Sequence, residues 1–196
     1  LMSKIWVAFI NCQMEPYVVG GNLAKITRFP HAVFLHIGCI DNKGGKNNWV
    51  CGGSIVNELI ILTAAHCIHG CSHKSVIVVY TGHVEKTKGF ESSVRTFLIH
   101  PAFDITSVSN DIALLKLKNH LEFGKNVKRL AFMKKPPYFE NAEIAGWGKM
   151  YVSTCCNNFK IILLKKIRLI FWKFLPRAEV ETLTLFAHTA TNATIT

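Results

Sequence analysis

All thirteen glycines of this 196-residue chain fall between Gly20 and Gly148, and none follows. Glycine most easily supplies the left-handed backbone that tight hairpin turns require. Hairpin-rich β-structure is therefore expected before position 148 and is hard to assemble after it. The text from Val18 to Gly148 agrees, with short runs of Val, Ile, Leu and Phe separated by turn-forming clusters. Strands are predicted at Ala32–Ile37, Gly53–Val56, Ile60–Thr63, Ser75–Tyr80, Val94–Ile99 and Ile112–Leu117. Asp41–Asn48 reads as a turn or exposed loop, and Asn57-Glu58 as a tight connection. About six short strands at this spacing indicate an all-β fold, a small barrel or sandwich.

The residues after Met150 have a different character. Asn158–Phe174 is basic and aliphatic and fits helix or strand equally; Glu179–Thr196 is rich in threonine and alanine. Lys149–Arg177 holds seven basic residues and no acidic one, and so carries much of the net charge of +11. A solvated basic face is the plain reading of such a run. Contact with a polyanion through this tail is the alternative; nucleic acid is not expected as a partner.

Seven cysteines favour an oxidising compartment. Lys4 followed by Ile5–Ile10 and Asn11 has the order of a secretory leader, although the apolar part is short for one. The notable apolar run Ile161–Phe174 is interrupted by Lys165, Lys166, Arg168 and Lys173, so no membrane-spanning segment is expected. An extracellular, secreted protein is the expectation.

Two residues carry a chemical signal. His66 ends the run Leu62-Thr63-Ala64-Ala65-His66-Cys67, where a predicted strand passes into small residues that let the backbone turn and leave the imidazole projecting. An imidazole acts as a base only when its tautomer is fixed, and a carboxylate fixes it by accepting the Nδ1 proton. Asp111 suits that role: it directly precedes the apolar run Ile112-Ala113-Leu114-Leu115, and is expected to enter the core. Aspartate is rarely buried unless paired.

With their neighbours these motifs resemble the chymotrypsin/trypsin-like serine peptidases. Val18-Val19-Gly20-Gly21 resembles the N-terminus released by zymogen cleavage, and Phe29-Pro30 with Val33 and Leu35 the first barrel strand. Cys51-Gly52-Gly53-Ser54-Ile55 is similar to the strand before the histidine, and His100-Pro101-Ala102-Phe103-Asp104 to the segment before the aspartate. Gly146-Trp147-Gly148 resembles the start of the second barrel. The resemblance covers roughly residues 18–148. It implies a six-stranded first barrel over about Ile26–Asn119, and roles for His66 as general base and Asp111 as its orienting partner. It also implies Val18 as the activation N-terminus, and protein or peptide substrates, with no cofactor.

The resemblance further implies a disulfide between Cys51 and Cys67, which stabilises by about 3 kcal/mol for a loop of about 15 residues. Cys39 and Cys71 flank that pair and are expected to bridge as well; Cys12, Cys155 and Cys156 have no evident partner. A zinc site among His66, Cys67, His69, Cys71 and His73 is the competing reading. It lacks a Cys-x-x-Cys element and needs cysteines that the bridges use, so no metal is expected.

The same family carries its nucleophile in Gly-Asp-Ser-Gly-Gly, a string absent from these residues. Ser153 is the one serine after Gly148 and stands in Tyr151-Val152-Ser153-Thr154-Cys155, without glycine on either side. No aspartate follows Gly148 to receive the amine of Val18, and Tyr17, not Arg or Lys, precedes that residue. Ala142 stands where many members have a cysteine that bridges to the second barrel. The expected division is 1–17 as a leader or propeptide, 18–148 as a partial peptidase domain, and 149–196 as a divergent basic tail replacing most of the second barrel. Truncation, splicing or a misread exon boundary would produce such a tail. Loss of the serine alone lowers turnover about 10⁶-fold in hydrolases of this kind. An inactive chain of a secreted endopeptidase family is therefore expected, with a noncatalytic binding or decoy homologue as the alternative. Asn192-Ala193-Thr194 is a glycosylation sequon.

Overall fold

The computed structural model describes residues 22–131 together with 141–142, 145–147, 162–163 and 167–168. Val18, Cys12, Ser153, Cys155, Cys156, the leader and the sequon lie outside the described residues, as does nearly all of the segment after Lys149. Six strands close into a barrel: β2 (Ala32–Ile40), β3 (Lys46–Ile55), β4 (Ile60–Thr63), β5 (Val76–Thr81), β6 (Phe90–Ile99) and β7 (Ala113–Leu117). Their order around the barrel is β2-β3-β4-β7-β6-β5, every neighbouring pair antiparallel. Closure leaves no unpaired edge, which is why strands this short suffice.

Alternation along each strand builds the core. Val33, Leu35 and Ile37 of β2 point inward, and meet Ile77 and Val79 of β5, Ile61 of β4, and Ala113, Leu115 and Leu117 of β7. Each fully buried Val, Leu or Ile contributes about 1.5–3 kcal/mol. On the outer face, Ile60 and Leu114 pack together against Val56, Leu59 and Leu62. β3 and β4 approach closely at Gly53, where a Cβ would lie 2.7 Å from the Leu62 carbonyl oxygen.

The strands differ from the sequence expectation at their ends. Lys46–Asn48, placed in a loop, already pair with Gly38–Ile40. The true turn is shorter and is held by Asp41 Oδ1, which accepts from the N–H groups of Lys43 and Gly45 at 2.8 Å each. Polar residues exposed on both faces of a hairpin tip carry no alternation to read. β6 starts at Phe90, four residues before the expected Val94, because Phe90–Ser93 pair with β5. A register shift between Val94 and Thr96 then carries the strand across to β7.

Short elements lie outside the barrel. β1 (Asn22–Leu23) pairs with β10 (Ile162–Leu163), which also pairs with β9 (Ala145–Gly146); β8 (Asn141–Ala142) pairs with β11 (Ile167–Arg168). The stretch left open between helix and strand thus contributes strand at both described points. Trp147 closes over the barrel: its ring meets Phe34 edge-on at 5.7 Å, and its Nε1–H donates to the Val84 carbonyl at 2.8 Å.

Candidate active site

The β4–β7 ladder decides where the site forms. Thr63 is registered opposite Ala113, with the strands antiparallel. The chain leaving β4 and the chain entering β7 therefore meet at one end of the barrel. His66 lies three residues past the first of these positions, and Asp111 two residues before the second.

Ala65–Cys67 form a single 3-10 turn, closed by the Ile68 N–H donating to the Ala65 carbonyl at 3.1 Å. Ala65, Cys67 and Ile68 are buried, and only the His66 side chain, 54% exposed, is directed outward. A larger residue at Ala65 has no room, since that position is fully enclosed. The Cys51–Cys67 disulfide ties the turn to β3, and Cys39–Cys71 ties the following loop to β2. Trp49 adds a third tie: its Nε1–H donates to the Cys67 carbonyl at 2.8 Å. Nothing in the sequence marked Trp49, because the bond depends on where β3 sits relative to the turn.

Asp111 is positioned by a left-handed residue. Asn110 has φ 54°, a conformation asparagine tolerates better than most side chains, and its Nδ2 donates to the Ala102 carbonyl at 2.8 Å. The loop before it is pinned by Asp104, which accepts from the Ser107 hydroxyl at 2.7 Å and the Thr106 N–H at 2.9 Å. The Ser107 and Thr106 bonds hold the Asp104 carboxyl below its ordinary pKa. Asp111 does not enter the core as expected: its side chain is 19% exposed. It stops at the barrel rim because both its oxygens are engaged there.

Asp111 Oδ2 lies 2.6 Å from His66 Nδ1, and Oδ1 accepts the His66 backbone N–H at 2.8 Å. The carboxylate thus holds both the ring and the peptide of the histidine. An anionic acceptor at Nδ1 favours the tautomer protonated there, which leaves the Nε2 lone pair free. Cys67 Sγ lies 3.6 Å from Nε2, and as a disulfide sulfur it has no proton to donate. Chemically, the arrangement is an oriented base that faces solvent.

Cys51, His66 and Cys67 also offer ligand atoms within 4.8 Å of one another. Both sulfurs are already bonded in the disulfide, and a disulfide sulfur is not the thiolate that zinc binds. His69 and His73 do not join the group: they face the rings of Phe103 and Phe97, at 5.4 and 5.1 Å. A cavity of about 550 Å³ lined by Phe90, Glu91, Phe123 and Val127 shares no residue with the His66–Asp111 pair.

Comparison with known proteins places these features. The Trypsin family model matches residues 18–162. Hypodermin-B of Hypoderma lineatum is 35% identical over 140 residues, which cover 71% of this chain and 52% of that protein. Trypsin alpha of Drosophila melanogaster is 31% identical over 138 residues, covering 69% and 50%. The chain thus spans about half the length of these relatives. Among solved structures, the HL collagenase superposes with a TM-score of 0.60 at 24% identity, over 74% of this chain and 61% of that one. The scabies mite inactivated protease paralogue S-D1 gives 0.61 at 22% identity, over 74% and 60%. One of these is described as a collagenase and the other as inactivated, so the fold alone does not decide activity.

Proposed function

This chain belongs to the trypsin family of serine peptidases, and from that premise we propose that its His66–Asp111 pair is the base-and-orienter half of a peptide-cleaving triad. The contact of 2.6 Å between Asp111 Oδ2 and His66 Nδ1 carries the reading. In such a triad His66 Nε2 takes the proton of a serine hydroxyl as that oxygen attacks the peptide carbonyl. It then returns the proton to the departing amine. Asp111 keeps the Nδ1–H in place and stabilises the imidazolium between the two steps.

The third member is not supplied by these residues, which contain no Gly-Asp-Ser-Gly-Gly string. We therefore propose that the 196-residue chain by itself does not cleave peptide bonds. The segment 18–148 is read as peptidase domain, with Val18 as its activation N-terminus, 1–17 as a leader, and 149–196 as a basic tail open to polyanions. The family match through residue 162 and the pairing of Ile162–Leu163 with Asn22–Leu23 support extending the domain past Gly148. Secretion is supported by the two disulfides. Among the described residues, no helix is long and apolar enough to cross a membrane. A noncatalytic homologue that binds peptides without cleaving them is the second reading, favoured by the missing nucleophile string.

Labelling with a fluorophosphonate, which reacts with activated serines, tests the proposal. No labelling of the 196-residue chain is expected, and stoichiometric labelling overturns its inactivity. The transcript downstream of the Met150 codon separates the two readings of the gene. An in-frame Gly-Asp-Ser-Gly-Gly codes for the peptidase, and its absence from every product leaves the binding homologue.

A further inference from the structure

Two basic segments distant in sequence meet at one point of the surface. Lys128 donates its backbone N–H to the Pro30 carbonyl at 3.0 Å. Beside Pro30 lies the 3-10 turn Ile26–Arg28, with the Arg28 N–H donating to the Lys25 carbonyl at 3.0 Å. Beside Lys128 lies a second turn, in which the Gly124 N–H donates to the Val127 carbonyl at 2.9 Å. This junction gathers Lys25, Arg28, Lys125, Lys128 and Arg129, all exposed. Neither 24–31 nor 124–130 contains a carboxylate. Glu122 and Glu58, whose carbonyl accepts from the Leu121 N–H, stand at the border.

Lys25, Lys125, Lys128 and Arg129 make no ion pair among the described residues. The Arg28 guanidinium lies over the ring of the buried Phe29, 5.7 Å from its centroid. His31, in the same segment, is kept below its ordinary pKa by burial and adds no charge at neutral pH.

We propose that this junction is a binding surface for a linear sulfated polysaccharide. Like charges set on hydrogen-bonded turns, with no carboxylate between them, produce a local positive potential that a polyanion neutralises. Arg129, exposed beside Lys128, adds a planar donor fork matched to paired anionic oxygens. The two disulfides select the class of polyanion. They persist in an oxidising compartment, away from nucleic acid and from the anionic cytoplasmic leaflet. The proposal is independent of proteolysis, because the surface shares no residue with His66 and Asp111.

The test is the affinity of the full chain for heparin at about 0.15 M salt, where charges beyond about 8 Å are screened. The variant K128E/R129E is expected to bind at least about tenfold more weakly. A control of equal charge change, K43E/K46E on the β2–β3 hairpin, is expected to stay within about twofold. Equal weakening by the control, or no weakening by K128E/R129E, overturns the proposal. A second measurement uses the unaltered chain: heparin is expected to protect Lys25, Lys125 and Lys128 from acylation. Absence of that protection overturns it, as does binding to phosphatidylserine vesicles with none to heparin, which would assign the surface to membranes.

Discussion

The indole of Trp49 and the carbonyl of Cys67 are joined by a hydrogen bond of 2.8 Å, which fixes the Cys67–Ile68 peptide one residue past His66. With the Cys51–Cys67 disulfide, this bond anchors the histidine turn to β3 from both the side chain and the backbone of Cys67. Replacing Trp49 by Phe keeps most of the ring and removes the donor. The partly buried carbonyl then loses its partner, which costs about 1–3 kcal/mol. Chemical denaturation is expected to show a lower midpoint with an unchanged slope. A midpoint equal to that of the parent chain would show that water replaces the indole at no cost.

Asp111→Asn tests the orienting role directly. The amide is close in shape to the carboxylate but lacks the charge that holds Nδ1–H, and an amide nitrogen turned toward the ring favours the other tautomer. The amide oxygen still accepts the His66 backbone N–H, so one bond accepted by an ion is lost, which costs about 1.5–3 kcal/mol in a sheltered setting and less at this partly exposed rim. The clearest readout is the His66 ring in a nitrogen-detected NMR spectrum. The parent chain is expected to show Nδ1 protonated and Nε2 bare, and the variant to lose that preference.

Gly53→Ala should be markedly more harmful than Gly52→Ala. A methyl at Gly53 would lie 2.7 Å from the Leu62 carbonyl oxygen and 3.1 Å from the enclosed side chains of Ile61 and Val33. At Gly52 it meets only the Val33 carbonyl oxygen at 3.9 Å, an ordinary contact. Forcing β3 and β4 apart costs about 1–3 kcal/mol or more, as overpacking in a closed core does. Thermal melts of the two variants side by side check the ordering, and equal melting temperatures would contradict it.

His31 makes stability depend on pH below the ordinary histidine range. Burial lowers its pKa in the folded chain, so the unfolded chain binds the proton more readily. The folded state is therefore favoured fully above pH ~6.5, and loses that advantage as pH falls through the lowered folded value. In His31→Gln this part of the acid slope should disappear while the rest of the profile remains. Denaturation midpoints measured between pH 7 and pH 5 for both proteins supply the comparison.

The sequence alone determined the class of the fold and the two residues at its centre. Short runs rich in Val, Ile, Leu and Phe between turn-forming clusters, such as Ala32–Ile37, Ile60–Thr63 and Ile112–Leu117, marked strands of the barrel, because their inward residues must be apolar. Small residues before His66, and an aspartate at the mouth of an apolar strand, made the two residues candidates, and the resemblance of the motifs around them to one peptidase family assigned their roles. Exposed segments were less legible. Lys46–Asn48 and Phe90–Ser93 are strand only because partners from elsewhere in the chain accept their hydrogen bonds. Tertiary structure alone decided the register of Thr63 against Ala113, the reach of Trp49 to Cys67, and the bond from the Lys128 N–H to the Pro30 carbonyl. Each is a contact between segments far apart in sequence, set by barrel closure, and no local pattern of residues encodes the partner across such a gap.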